Sequence, residues 1–136
     1  MALMPKRTKF RRHMRGTVKG SSSRGSFVSF GKYGLKALEK CYLSVAQIES
    51  ARKSITNHTK RGGKLWIRAF ADKPMTKKPN ETRMGGGKGL VSHYASVVRP
   101  GKILFELDGV TKQIAREAFA KAASKLPIKA KFVSEE

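Results

Sequence analysis

Acid is what this sequence has least of: nine Asp and Glu stand against thirty Lys and Arg in 136 residues, a formal net charge of +21. Self-repulsion of that size is tolerable when a polyanion neutralises it, so nucleic acid is the leading partner. A single cysteine, Cys41, excludes an internal disulfide and reads as a small core residue. His13, His58 and His93 stand alone without metal-site spacing, so neither a metal nor a cofactor is expected. No apolar run approaches the roughly 20 residues that a membrane-spanning helix needs. Nor is there a helix with a bulky apolar face beside a basic one, so no membrane partner is expected. Glu39, Glu49, Asp72, Glu81, Glu106, Asp108 and Glu117 are too dispersed to suggest a catalytic pair, which argues against an enzyme and a small-molecule substrate.

The Gly-rich stretch "ETRMGGGKG" at 81 to 89 also lacks something. A P-loop needs glycine five positions before the Gly-Lys pair and Ser or Thr after it, but Thr82 and Gly89 occupy those places. A dinucleotide fingerprint fails as well, because Leu90 stands where a third glycine is required. The loop is therefore not a nucleotide site by motif.

The cations are unevenly spread. Residues 1 to 38 hold ten Lys and Arg and no acid; residues 60 to 90 hold nine against two acids. Both segments are poor in apolar periodicity. Flexible cationic chain can follow folded RNA into crevices that a rigid domain cannot enter. Residues 1 to 24 read as an extended basic arm, whose composition also suits an organellar transit peptide but has no secretory apolar segment. Residues 25 to 136 read as one domain, with residues 73 to 89 as a long functional loop.

Phe27, Val28 and Phe30 suggest a short strand closed by Gly31 and Gly34. Phe27, Phe30 and Tyr33 also form an aromatic stripe, for which core packing is preferred over a base-stacking platform. "SVAQIESARKSITNH" predicts a helix capped by Ser44 with Gln47 three residues on, carrying Val45, Ile48, Ala51 and Ile55 on one face and ending at Gly62-Gly63. "KLWIRAF" has apolar residues for both faces and is expected as a central strand. "YASVV" and "KILFEL" are expected as a hairpin around Pro100-Gly101. A second helix is expected from Thr111 through Ile114, Ala118, Phe119 and Ala122 to Leu126, stopped by Pro127; "IKAKFV" is the closing strand. Two helices among four or five strands predict an α+β fold with a mostly antiparallel sheet.

Six blocks carry a resemblance: "MPKRTKFRR" at 4 to 12, "VSFGKYGLKALE" at 28 to 39, "QIESARKSI" at 47 to 55, "GGKLWIRAFADKPMTKKPNETRMGGGKG" at 62 to 89, "RPGKILFELDGV" at 99 to 110 and "REAFAKAASKLPIKAKFV" at 116 to 133. In this order they resemble the bacterial-type large-subunit ribosomal proteins numbered sixteen over nearly the whole chain. The likeness begins by Met4, which favours an RNA-binding arm over a transit peptide. It implies an α+β fold with a hammerhead-like β element, bound to large-subunit rRNA beside neighbouring large-subunit proteins. It also implies a loop, Lys77 to Gly89 here, that reaches A-site tRNA near the peptidyl-transferase centre, with P-site tRNA as an open extension.

On charge and resemblance together, Lys6, Arg7, Lys9, Arg11, Arg12, Arg15, Lys19, Lys60, Arg61, Lys64 and Arg68 are expected to bind rRNA. Lys77, Lys78, Arg83, Met84, Gly85, Gly87, Lys88 and Gly89 are expected to form the tRNA-contacting loop. Gly86 departs from the family pattern, which has lysine there; His93 and Tyr94 replace a tyrosine–tryptophan pair, and Ser21 to Ser23 a more basic stretch. The expected location is a cytoplasmic ribosome, an organellar one remaining open. The competing reading is a free-standing nucleic-acid-binding or nucleolytic protein, separated from the first by stoichiometric co-sedimentation with large subunits at high salt.

Overall fold

Ser44 and Gln47 open the first helix by exchanging hydrogen bonds. Ser44 Oγ accepts from the Gln47 N–H at 3.3 Å, and Gln47 Oε1 accepts from the Ser44 N–H at 3.0 Å. Such a cap contributes about 1 kcal/mol, because it satisfies N–H groups that the first helical turn leaves unpaired. The computed structural model describes residues 4 to 135; residues 1 to 3 of the expected arm and residue 136 of the expected domain lie outside the described residues. The described elements are β1 (Tyr33–Ala37), β2 (Cys41–Ser44), α1 (Val45–His58), β3 (Lys64–Ile67), β4 (Lys73–Thr76), β5 (Val91–Val98), β6 (Ile103–Asp108), α2 (Lys112–Ala123) and β7 (Ala130–Ser134). They form an α+β fold of two antiparallel sheets, ordered β3-β6-β1-β7 and β2-β5-β4.

The core lies where α1 and α2 pack together and onto the sheets. Ile48, Ala51 and Ile55 of α1 and Ala115, Ala118, Phe119 and Ala122 of α2 are buried with Leu35, Leu43, Leu104, Phe105 and Leu107 from the strands. Phe132 of β7 stacks on Tyr33 at 5.8 Å between centroids and meets Phe119 at 6.1 Å, bridging sheet and helix. Cys41 is half-buried against this core, and burial, then the Glu39 charge, pushes its thiol above the ordinary value.

Several local expectations are corrected by tertiary pairing. The strand at 27 to 30 does not form: the first strand begins at Tyr33, and Gly34 lies inside it. "KLWIRAF" supplies an edge strand, β3, and the central position with both faces covered belongs to β6, where Ile103 to Leu107 are all buried. β5 and β6 are not a hairpin. The turn at Pro100-Gly101 passes the chain from one sheet to the other, and the actual hairpin is β4 with β5.

β1, β2 and β4 carry too little pattern of their own to be read as strands; their neighbours make them so. Helix α1 is left through Lys60 (φ 54°) and Arg61 (φ 63°) rather than at the glycines that follow. Helix α2 ends at Ala123, four residues short of Pro127, and Ile114 lies on its exposed side while Ala115 faces the core. Of the aromatic stripe, Tyr33 is buried, but Phe27 is 77% exposed and Phe30 60%, so core packing accounts for the first alone.

Glu106 was passed over in the sequence. It is fully buried in β6 and completely satisfied: Oε1 accepts from the N–H groups of Ser29 (2.7 Å), Phe30 (2.9 Å) and Gly31 (3.3 Å), and Oε2 accepts from Arg68 Nη1 at 3.0 Å. Arg68 Nη1 also donates to the carbonyl of Phe27 at 3.2 Å. One carboxylate thus shapes the segment ahead of β1. The signal was present in the sequence as an acid inside "KILFEL", a run otherwise apolar at nearly every position.

Candidate nucleic-acid interface

The hairpin of β4 and β5 carries the Gly-rich loop. A register shift between Met75 and Thr76 bends the strand just before the chain departs, and the Lys77 N–H donates to the Leu90 carbonyl at 3.2 Å where it returns. The loop proper therefore runs from Lys77, since Lys73 to Thr76 belong to β4. Gly85, Gly86 and Gly87 take φ of +94°, +79° and +93°, a conformation that L side chains resist, yet a Cβ at any of them would meet nothing within 4 Å. Gly89 is needed for a different reason: a Cβ there would lie 3.0 Å from Lys78 Cγ and 3.1 Å from the Lys77 carbonyl. Arg83 and Met84 project from the tip, fully in solvent in the case of Met84.

The arm and the loop, separate in sequence, meet in space. Arg12 Nε donates to the Gly89 carbonyl at 3.0 Å, and Lys88 Nζ donates to the His13 carbonyl at 2.5 Å. Further along the arm, the Arg15 carbonyl accepts from Tyr42 Oη at 2.9 Å and from Lys73 Nζ, whose ammonium sits 5.0 Å from the Tyr42 ring centre. The Lys19 carbonyl accepts from Arg99 Nε at 3.2 Å. Between arm and loop base lies a cavity of about 310 Å³ whose lining includes Arg15, Lys73, Lys77, Lys78 and Lys88 and no acid. With no carboxylate in the lining to neutralise them, these cations leave the cavity positively charged.

The expected residues do not all gather there. Arg12, Arg15, Lys77, Lys78, Lys88 and Gly89 converge on the arm–loop junction. Lys6, Arg7, Lys9 and Arg11 run exposed along the arm ahead of it, and Lys19 follows. Lys60 falls in another place, an open groove of about 690 Å³ along α1 and α2 with Lys53, Lys121 and Lys125. Arg61 is exposed beside it. Lys64 lies on edge strand β3, and Arg68 is engaged by Glu106.

Lys73, Tyr42 and the α1–α2 lysines were missed because only the fold brings them beside the others. His58 is structural: Lys121 donates to Nδ1 at 2.9 Å, leaving Nε2 to donate to Glu117 at 3.1 Å, which ties α1 to α2. Hydrogen bonds from Gln113 and then His58 hold the Glu117 carboxyl below its ordinary value. Near the arm, burial lowers the Lys102 ammonium, partly offset by Asp72.

The arm is held mainly through its carbonyls, and this sets an expectation for amide exchange. Its Ser22 N–H donates to the Pro100 carbonyl at 2.8 Å, whereas the contacts at His13, Arg15 and Lys19 use the carbonyl side. With little apolar burial beyond Val18 to offset chain entropy, amides 4 to 21 of free protein are expected to exchange without protection while Ser22 is slowed. Strong protection across the whole arm in the absence of RNA would show that it is folded independently of a partner.

An α+β domain that pairs an acid-free cationic junction with a basic arm and a projecting loop has the charge layout of a nucleic-acid-binding protein. The family model described as Ribosomal protein L16p/L10e matches residues 5–133, and the chain belongs to that family. It is a structural protein of the large ribosomal subunit, working in translation in contact with rRNA and other large-subunit proteins.

Proposed function

We propose that the arm and the arm–loop junction are the principal rRNA-binding surface, and that the tip of the loop contacts A-site tRNA near the peptidyl-transferase centre. The observation that carries this reading is the acid-free convergence of Arg15, Lys73, Lys77, Lys78 and Lys88 at the base of a loop whose glycines, Gly85 to Gly87, have open space where a side chain would stand. The junction neutralises phosphate and fixes where the loop emerges. Arg83 then presents a planar, bidentate donor at the tip, and Lys88 braces the returning base of the loop to the arm.

Binding to large-subunit rRNA should weaken linearly in log K against log salt. If on the order of 6 to 10 phosphates are neutralised, neutral substitutions at Arg7, Arg11 and Arg12 each flatten the slope by about one unit. A slope untouched by all three would place them in solvent and move the interface elsewhere.

A further inference from the structure

Resting on the RNA-binding reading above, we propose that Phe27, Phe30 and Trp66 form a ledge on which unpaired nucleobases of RNA stack. It is a second mode of contact, chemically unlike the phosphate-binding junction. Phe27 and Phe30 leave most of their rings in solvent, a costly arrangement if nothing covers them. Phe30 stacks on Trp66 with centroids 6.3 Å apart and an interplanar angle of 21°. Gly31 makes room for this, since a Cβ there would lie 3.0 Å from the Trp66 ring.

The ledge is built in advance of any partner. Glu106 gathers the N–H groups of Ser29, Phe30 and Gly31 on one oxygen and Arg68 on the other, and Arg68 reaches the Phe27 carbonyl. The segment carrying both phenylalanines is thereby fixed to central strand β6. A buried carboxylate that holds an exposed aromatic segment is accounted for if the segment must present its rings in one geometry.

Charge decides the kind of occupant. Each ring has a cation of its own: Lys36 lies 6.0 Å from the Phe27 centroid, Arg68 5.2 Å from Phe30 and Lys64 5.2 Å from Trp66. Exposed or half-buried rings that each carry a cation over the ring suit a ligand that alternates flat π-surfaces with phosphates, which is single-stranded RNA. An apolar protein partner would have to bury Lys36 and Lys64 without repayment, Arg68 being already paired with Glu106.

Trp66 is the chain's single tryptophan, so its fluorescence reports on the ledge directly. The full chain is titrated at high salt with a single-stranded oligoadenylate and with an abasic ribose-phosphate oligomer of equal length. Oligoadenylate should quench Trp66 and bind about 5- to 100-fold more tightly than the abasic oligomer, the range expected of a stacked base. Phe27→Ala and Phe30→Ala should remove that advantage while leaving the salt slope unchanged. Equal binding of both oligomers with a steep salt slope would leave the rRNA reading standing and sink the ledge; binding of neither would sink both. In assembled large subunits, Phe27→p-benzoylphenylalanine should photo-crosslink to rRNA, and a crosslink confined to a neighbouring protein would overturn the assignment.

Discussion

Glu106→Ala is expected to lower the unfolding free energy by about 3 to 5 kcal/mol, the usual loss when one partner of a buried charge pair is removed. The substitution leaves Arg68 facing an empty site and takes the acceptor from three backbone N–H groups at once. Glu106→Gln should cost less, because its carbonyl oxygen can still receive the N–H groups that now meet Oε1. The pair is not stabilising simply for being ionic. Replacing both ends, as Arg68→Met with Glu106→Leu, should recover much of the loss at Arg68 but not the bonds to Ser29, Phe30 and Gly31. Urea unfolding of the four proteins, read for midpoint at constant slope, separates these contributions. A loss below about 1 kcal/mol for Glu106→Ala would mean that water replaces the carboxylate and that the cluster does not hold the segment.

Loop substitutions should do the opposite, sparing stability and disturbing function. Around Gly85, Gly86 and Gly87 a new Cβ meets nothing, so valine there strains the backbone locally without reaching the core. Gly87→Val is expected to enter large subunits normally and to weaken A-site tRNA binding and slow peptide-bond formation. Arg83→Ala should reduce tRNA binding about tenfold or more, the range of a lost charge-assisted hydrogen bond. Lys88→Ala should be milder, since it loosens the brace to His13 without altering the tip's own path.

Gly89→Val differs in kind: its Cβ would press on the Lys77 backbone, which must give by a few tenths of an ångström at the loop base. Subunit incorporation and tRNA binding measured on the same mutant ribosomes test the whole set. If Gly87→Val and Arg83→Ala fail to incorporate, and the isolated proteins also lose stability, the loop is structural and the tRNA contact is wrongly assigned.

Much of the candidate interface was legible in the sequence as a class of residues, and little of it as a place. Arg12 and Gly89 are both basic-segment residues by simple inspection, but nothing in either segment says that one hydrogen-bonds the other. Arg68 shows the limit more sharply. Among so many cations it reads as one more phosphate contact, yet a buried acid 38 residues away claims its guanidinium. Phe27 and Phe30 fail in the reverse direction, since apolar residues near a strand ordinarily predict a core, and these two are left outside it.

What the sequence determined by itself is local or global in origin. The Ser44–Gln47 cap, the Thr111 cap that receives the Ile114 N–H, and most of the buried faces of α1 and α2, with Ala115 in place of Ile114, depend on residues three and four apart, which the chain brings together whatever the rest does. Net charge, and with it the polyanionic partner, is a sum that no arrangement alters. Tertiary structure alone decided that β3 lies at an edge, because it pairs with β6 on one side only while β6 pairs with both β3 and β1. It also turned a presumed β5–β6 hairpin into a crossing between sheets, and it set arm against loop and Glu106 beneath the aromatic ledge. Those outcomes depend on pairing and burial between distant segments, and the free energy that selects them belongs to no single stretch of chain.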